Sequence, residues 1–255
     1  MLVASIDTAT LTLSVALSEL GAEGVRIVAE RSERAAAKPG PQGPTGGHGG
    51  RLPGVLLDLL AEHGRSLEEI DGYAVGLGPG SFTGLRIGLA TWKGLAYAQQ
   101  RPLVGASSLA AMAAAAAPVA SRGALLVPLL DAKKAEVYAG FYRVGEGERL
   151  QQFAPEAALR PEALLAYLEA LAADPSEIAA FGEGYAAYRG PLAALPELPG
   201  GPPTPPGHAV ARLCAARLAS APYDPQALFA LEPHYVRPSE AELKFPGGTV
   251  PRPGG

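Results

Sequence analysis

The chain has 255 residues and a formal net charge of −4, with 48% hydrophobic and 18% charged residues, which fits one large globular domain or two small ones and excludes a disordered chain. The acidic balance, the lack of any long basic run and the 6% aromatic content argue against this chain alone gripping RNA or DNA. A single cysteine, Cys214, excludes an internal disulfide framework, and no apolar run reaches membrane-spanning length, Ala110–Ala117 being stopped by Pro118.

The opening residues MLVASIDTAT lack the basic and cleavable apolar parts of a secretory signal, so a cytoplasmic protein with no membrane association is expected. Leu2–Ile6 is an apolar run ending at Asp7 and is predicted as a strand. Leu11–Leu17 alternates, with Leu11, Leu13, Val15 and Leu17 on one face and Thr12, Ser14 and Ala16 on the other. Val25–Ala29 reads as a third strand. Ser32–Gly50 is rich in Gly and Pro and reads as a mobile loop. Arg51–His63 has helical spacing, with Pro53 in its first turn. Tyr73–Leu77 is a strand that runs into Gly78-Pro79-Gly80-Ser81-Phe82-Thr83-Gly84 and then a long helix, Phe82–Gln99. Leu103–Ala106 is another short strand.

The second half echoes the first. Leu125–Asp131 is an apolar strand ending in Asp, as Leu2–Asp7 is, and alternation follows it in Glu136–Tyr142. Ile178–Phe181 then precedes Gly182-Glu183-Gly184-Tyr185, as Val75–Leu77 precedes Gly78-Pro79-Gly80-Ser81. Two matches in the same order favour an α/β fold built from a duplicated β-β-β-α-β-α unit over two unrelated stretches. The subdomains would be 1–106 and 107–206. A helix at 208–220 would pack back on the first, and a tail at 236–255 would be extended and partly disordered. Leu192–Gly207, rich in Pro and Gly, reads as a linker.

The Gly-rich segment between strand and helix has two readings. Backbone N–H groups and the positive end of the helix dipole could meet an anion, such as a nucleotide phosphate, at Gly78, Gly80, Ser81 and Thr83. Alternatively, the glycines serve a tight turn and close packing, with Ser81 or Thr83 capping the helix. The segment is not a Walker A loop, a dinucleotide-binding turn or a nucleophile elbow. Asp7 and Asp131, at equivalent places in the duplication, could face one cleft and hold Mg²⁺. The favoured reading is that each caps its own turn. No metal pair accompanies His48, and Cys214 reads as a small buried residue, so neither a metal site nor a catalytic residue is assigned.

The two long helices are apolar on more than one side. Leu52, Leu56 and Leu59 form a stripe on the first, and Leu85, Leu89 and Trp92 a stripe on the second, with Gly84 and Gly88 as a small pair. Either both helices are sandwiched inside the domain, or these residues meet another subunit. The interface reading is preferred. Gly88→Leu is then expected to weaken the pairing and spare the fold.

The blocks IDTAT, GLGPGSFTGLRIGLATWKGLAYA, VGASSLAAMA, LLDAKKAEVYAGFY and PHYVRP occur in that order over most of the chain. Together they resemble the TsaB (YeaZ) family. The resemblance implies two RNase H-like, actin-like subdomains of the sugar-kinase and heat-shock-ATPase superfamily. It implies a non-catalytic scaffold or activator in the bacterial complex that attaches a threonylcarbamoyl group to N6 of the tRNA adenosine beside the anticodon. The implied partners are a TsaD-like catalytic subunit, a TsaE-like ATPase and, through the complex, tRNA, with a homodimer as a further option. ATP and Mg²⁺ would act at the level of the complex, with no cofactor assigned to this chain. The family's dimer contact would map to Arg51–His63 and Phe82–Gln99. The family usually opens its first helix with an H-S-E-x-L-like run, whereas this chain has Gly50 in place of the Glu. The rival readings are a stand-alone kinase or ATPase of the same superfamily and, behind it, a peptidase.

Overall fold

The computed structural model describes residues 1–34 and 48–237, with the backbone alone for His48–Gly50. The expectations for the loop at 35–47 and the tail at 238–255 lie outside the described residues.

The chain forms two mixed sheets in succession. In the first, β1 (Leu2–Asp7), β2 (Thr12–Gly21) and β3 (Gly24–Arg34) make an antiparallel meander, followed by α1 (His48–Glu62), β4 (Gly72–Gly76), α2 (Phe82–Gln99), β5 (Leu103–Ala106) and α3 (Ser108–Ala116). The strand order is β3-β2-β1-β4-β5. β4 runs parallel to β1 in the register Val3↔Gly72 to Ile6↔Val75, and β5 runs parallel to β4. The second sheet repeats the plan with β6 (Leu125–Lys133), β7 (Glu136–Val144), β8 (Leu150–Leu159), α4 (Pro161–Ala170), β9 (Ile178–Phe181) and a short α5 (Glu183–Ala187). Its order is β8-β7-β6-β9, with β9 parallel to β6. Beyond β9, Ala180 pairs in parallel with Glu197, and Ala180 bonds to Pro196 and Leu198. The fifth strand of the second copy is thus reduced to one bridge inside the segment that reads as a linker.

The duplication is present and gives two RNase H-like lobes. Its details match at residue level. Asp7 Oδ1 accepts Ala9 N–H at 2.8 Å, and Asp131 Oδ1 accepts Lys133 N–H at 2.8 Å. After the parallel strands, Gly78 and Gly182 both take positive φ, 95° and 106°, a conformation that favours glycine.

Several element bounds differ from the sequence reading. β3 extends to Arg34 and α1 begins at His48, so both ends of the Gly/Pro stretch belong to regular elements, and Pro53 lies inside α1 beyond its first turn. Leu11 precedes β2 and is 44% exposed. The β2 alternation separates two covered faces. Leu13, Val15 and Leu17 face the core under α1 and α2, while Ser14, Ala16 and Ser18 are buried on the other side, against which α6 (Gly207–Ser220) packs.

Among the described residues, four apolar clusters hold the molecule. One lies between the first sheet and the helix pair α1/α2, centred on Trp92, whose Nε1 donates to Ala4 O at 3.1 Å and whose ring meets Tyr73 edge-on with centroids 5.9 Å apart. A second joins the opposite face of that sheet to α6 and α3. A third lies under α4 in the second lobe. The fourth is shared between lobes and mixes Ala9 and Leu85 with Leu109, Met112, Leu126, Tyr142 and Phe181. Helix α7 (Pro225–Ala230) sits beside α2. Among the described residues no helix is long and apolar enough to cross a membrane.

Candidate functional site

Two places have the make-up of a functional site, the outward face of α1/α2 and the cleft between the lobes.

The helix pair lies side by side on the first sheet. The stripe assigned to a partner, Leu52, Leu56, Leu59, Gly84, Leu85, Gly88, Leu89 and Trp92, faces the chain's own interior. Each of the six side chains other than glycine is at most 6% exposed, and both glycines are buried. This corrects the interface assignment. The reason is plain for the glycines. A methyl group on Gly84 would lie 2.2 Å from Thr8 O, and one on Gly88 would lie 2.3 Å from Thr8 Oγ1. The small pair lets α2 cross the β1–β2 turn of its own subunit, so Gly88→Leu strikes the fold first.

What the helices present outward is different. Leu57 is 52% exposed, Phe82 40% and Tyr97 54%. Arg86 lies 3.8 Å from the Phe82 ring centroid and donates through Nε to Tyr235 Oη at 3.1 Å, while Tyr235 stacks on Phe82 at 5.3 Å. At the other end of α2, Tyr97 stacks on Phe229 at 5.5 Å, and Lys93 Nζ donates to Phe229 O at 2.8 Å. Aromatic rings with arginine and an apolar neighbour are the composition of interface hot spots. In sequence Phe82, Arg86 and Tyr97 fall within about 60° of one another around the helix.

The cleft has a volume of about 580 Å³ and is lined from the first lobe by Ala9, Gly80, Ser81 and Phe82 and from the second by Asp131, Lys133, Lys134 and Glu183, with Arg237. Of the residues considered for anion or Mg²⁺ binding, Gly80, Ser81 and Asp131 reach it, while Asp7, Gly78 and Thr83 do not. Asp7 is 1% exposed. Its Oδ2 accepts Ser108 Oγ–H at 2.6 Å, and Ser108 Oγ in turn accepts Gly78 N–H at 3.1 Å. Burial pushes the Asp7 carboxyl up to about 7 in spite of the bonds from Ser108 and Ala9. Ser81 Oγ caps α2 by accepting Gly84 N–H at 3.2 Å, and Ser81 N–H donates to Ala9 O at 2.6 Å. A methyl group on Gly80 would lie 2.3 Å from Ala9 O, so Gly80 lets the strand-to-helix turn pack closely against the β1–β2 turn. The glycines serve close packing here.

Asp131 behaves likewise. It receives Lys133 Nζ at 2.6 Å and Tyr188 Oη–H at 3.1 Å. Burial works against the charged form, but the Lys133 side chain, its backbone N–H and its charge hold the carboxyl below its usual range. Both aspartates cap their own turns, and only Asp131 lines the cleft, so the pair does not fit a shared Mg²⁺. Among the described residues no three His, Cys, Asp or Glu side chains gather as a metal site. Cys214 is buried, and that burial raises its thiol to about 12.

Comparisons with known proteins bear on the family and the fold. A family model described as TsaD: tRNA N6-adenosine threonylcarbamoyltransferase matches residues 33–194. The tRNA threonylcarbamoyladenosine biosynthesis protein TsaB of Escherichia coli K12 is 35% identical over 163 residues, 64% of this chain and 64% of that protein. The protein of the same name from Haemophilus influenzae is 33% identical over 135 residues, 52% of this chain and 50% of that protein. The chain therefore spans between half and just under two thirds of the length of these curated relatives. The structure of YeaZ from Pseudomonas aeruginosa superposes with a TM-score of 0.68 at 28% identity, over 92% of this chain and 99% of that one. Two duplicated lobes whose Asp and Gly turns are closed by their own chain, with this likeness in sequence and fold, place the protein: it belongs to the TsaB (YeaZ) family.

Proposed function

We propose that this chain acts in tRNA threonylcarbamoyladenosine biosynthesis as a non-catalytic subunit that docks on a TsaD-like partner. The observation that carries the reading is on the helix pair, where Leu57 of α1 and Phe82, Arg86 and Tyr97 of α2 are exposed, the two α2 rings being partly covered by Tyr235 and Phe229 of the same chain. Burying such a patch would supply affinity, because desolvated aromatic and arginine side chains dominate interface energies. The non-catalytic role is supported by the condition of the cleft. Asp7 and Asp131 are spent on their own turns, and Ala9 occupies the approach to Gly80. Pairing with a TsaE-like ATPase, contact with tRNA through the assembly, self-association on the same helix face and a place in the cytoplasm belong to the same reading.

The test is reconstitution. TsaD-like and TsaE-like subunits, threonylcarbamoyl-adenylate, ATP and tRNA are combined with and without this chain, and modified adenosine is read by mass spectrometry. Modification that requires the chain, with no turnover of MgATP by the chain alone, is the expected outcome. Full modification in its absence, or nucleotide turnover by the isolated chain, overturns the reading.

A further inference from the structure

The block PHYVRP supplies Tyr235 to the α2 face and Arg237 to the cleft, and it touches both lobes. His234 N–H donates to Leu77 O at 2.7 Å, at the end of β4. Its ring Nε2 lies 3.5 Å from Glu156 Oε2 on β8 of the second lobe. That carboxylate is buried, and its Oε2 has no hydrogen-bond partner, while Oε1 receives the hydroxyls of Ser107 and Tyr142. Tyr235 then stacks on Phe82 at the first turn of α2 and accepts from Arg86. Val236 packs into the cluster shared between lobes. Arg237 crosses to the second lobe, donating to Glu136 Oε2 at 2.6 Å and to Ala132 O at 3.4 Å.

Glu136 and Ala132 flank the β6–β7 turn, and that turn is strained. Lys133, Lys134 and Ala135 take φ of 62°, 55° and 58° in succession, a left-handed run that disfavours side chains and needs outside support to persist. The turn forms one lip of the cleft, and Ser81 and Phe82 form the other. We propose that His234–Arg237 is a clasp that fixes the spacing of the two cleft lips by tying the first turn of α2 to the β6–β7 turn. Covering Phe82 and Tyr235 would then bear on the second lobe through Arg237.

Hydrogen–deuterium exchange on the full chain tests this. In the double variant His234→Ala/Arg237→Ala, amides of 133–136 and of the first turn of α2 should exchange faster by about tenfold or more, the scale of one lost charge-assisted bond. Amides of β2 and α4 should be unchanged. Glu136→Ala, which removes the anchor from the turn and leaves the strap intact, should speed 133–136 likewise and remains available if the double variant does not fold. Faster exchange confined to 232–237, or a uniform rise over both sheets, overturns the proposal.

Discussion

Asp7 carries its charge balance into the stability of the whole first lobe. Its folded pKa is raised to about 7 from 3.8, chiefly by burial. Between those values the folded protein keeps a proton that the unfolded chain has released, so this group makes stability fall as pH rises from 3.8 to about 7 and adds no further slope above that. Asp7→Asn should remove this slope, so its thermal midpoint should gain on the wild type between about pH 4 and about pH 8. Parallel midpoints would show that Asp7 stays ionised. Gly88 makes a second residue-scale prediction. Gly88→Ala should cost about 1–3 kcal/mol in urea unfolding, because the added carbon meets Thr8 Oγ1. Thr8→Ala should recover much of that loss, since the buried Thr8 hydroxyl has no hydrogen-bond partner. Independent, additive effects would mean that α2 does not press on the turn there.

Helix α6 shows how an element from the end of the chain is fixed on the first lobe. Gly207 N–H donates to Ser14 Oγ at 2.9 Å, and Glu30 receives His208 N–H at 3.2 Å and faces its Nδ1 at 2.7 Å. A carboxylate at a helix N-terminus is favoured by the unsatisfied N–H groups and the dipole. Burial works against the Glu30 charge, but the bonds from His208 and Ser14 outweigh it and hold the carboxyl below 4.5. Its contribution is therefore complete above 4.5 and lost as pH falls through the lower folded value. Glu30→Gln should destabilise the protein at neutral pH and converge on the wild type in acid, as thermal unfolding would show. An unchanged gap at all pH values would contradict the charge argument. At this scale much of the fold was legible. α2, β5 and β9 begin and end where Gly, Pro and capping residues bracket them, and the Asp and Gly echoes disclosed the duplication. β8 gave little signal, because an edge strand that carries Pro155 and few alternating positions has no period to detect. The α1/α2 stripe was found, but its owner was misassigned. Periodicity says that a helix face is covered, and Trp92 would show the same spacing whether it met Ala4 or another chain. A cleft between the copies was weighed from Asp7 and Asp131, but its lining could not be foreseen, since Ser81 and Lys133 come together only through packing across the lobes.

The molecule as a whole is a duplicated fold whose halves have diverged. The first lobe keeps a five-stranded sheet and an 18-residue α2, while the second has four strands and a five-residue α5. Long helices that can offer a broad outward face therefore belong to the first lobe. That asymmetry is the physical ground for the proposal that a partner docks on α1/α2. Trp92→Ala and Phe82→Ala separate the two faces of α2. The first should cost about 3–5 kcal/mol of stability, as a fully buried ring does, whereas the second should leave stability within about 1 kcal/mol. The decisive measurement is the affinity of this chain for a TsaD-like subunit by calorimetry, with Phe82→Ala/Tyr97→Ala beside the wild type and folding checked by circular dichroism. A complex with the wild type, weakened at least about a hundredfold in the folded double variant, is expected of two hot-spot side chains. Undiminished binding by that variant, or no complex with the wild type, would contradict docking through the outward face of α2.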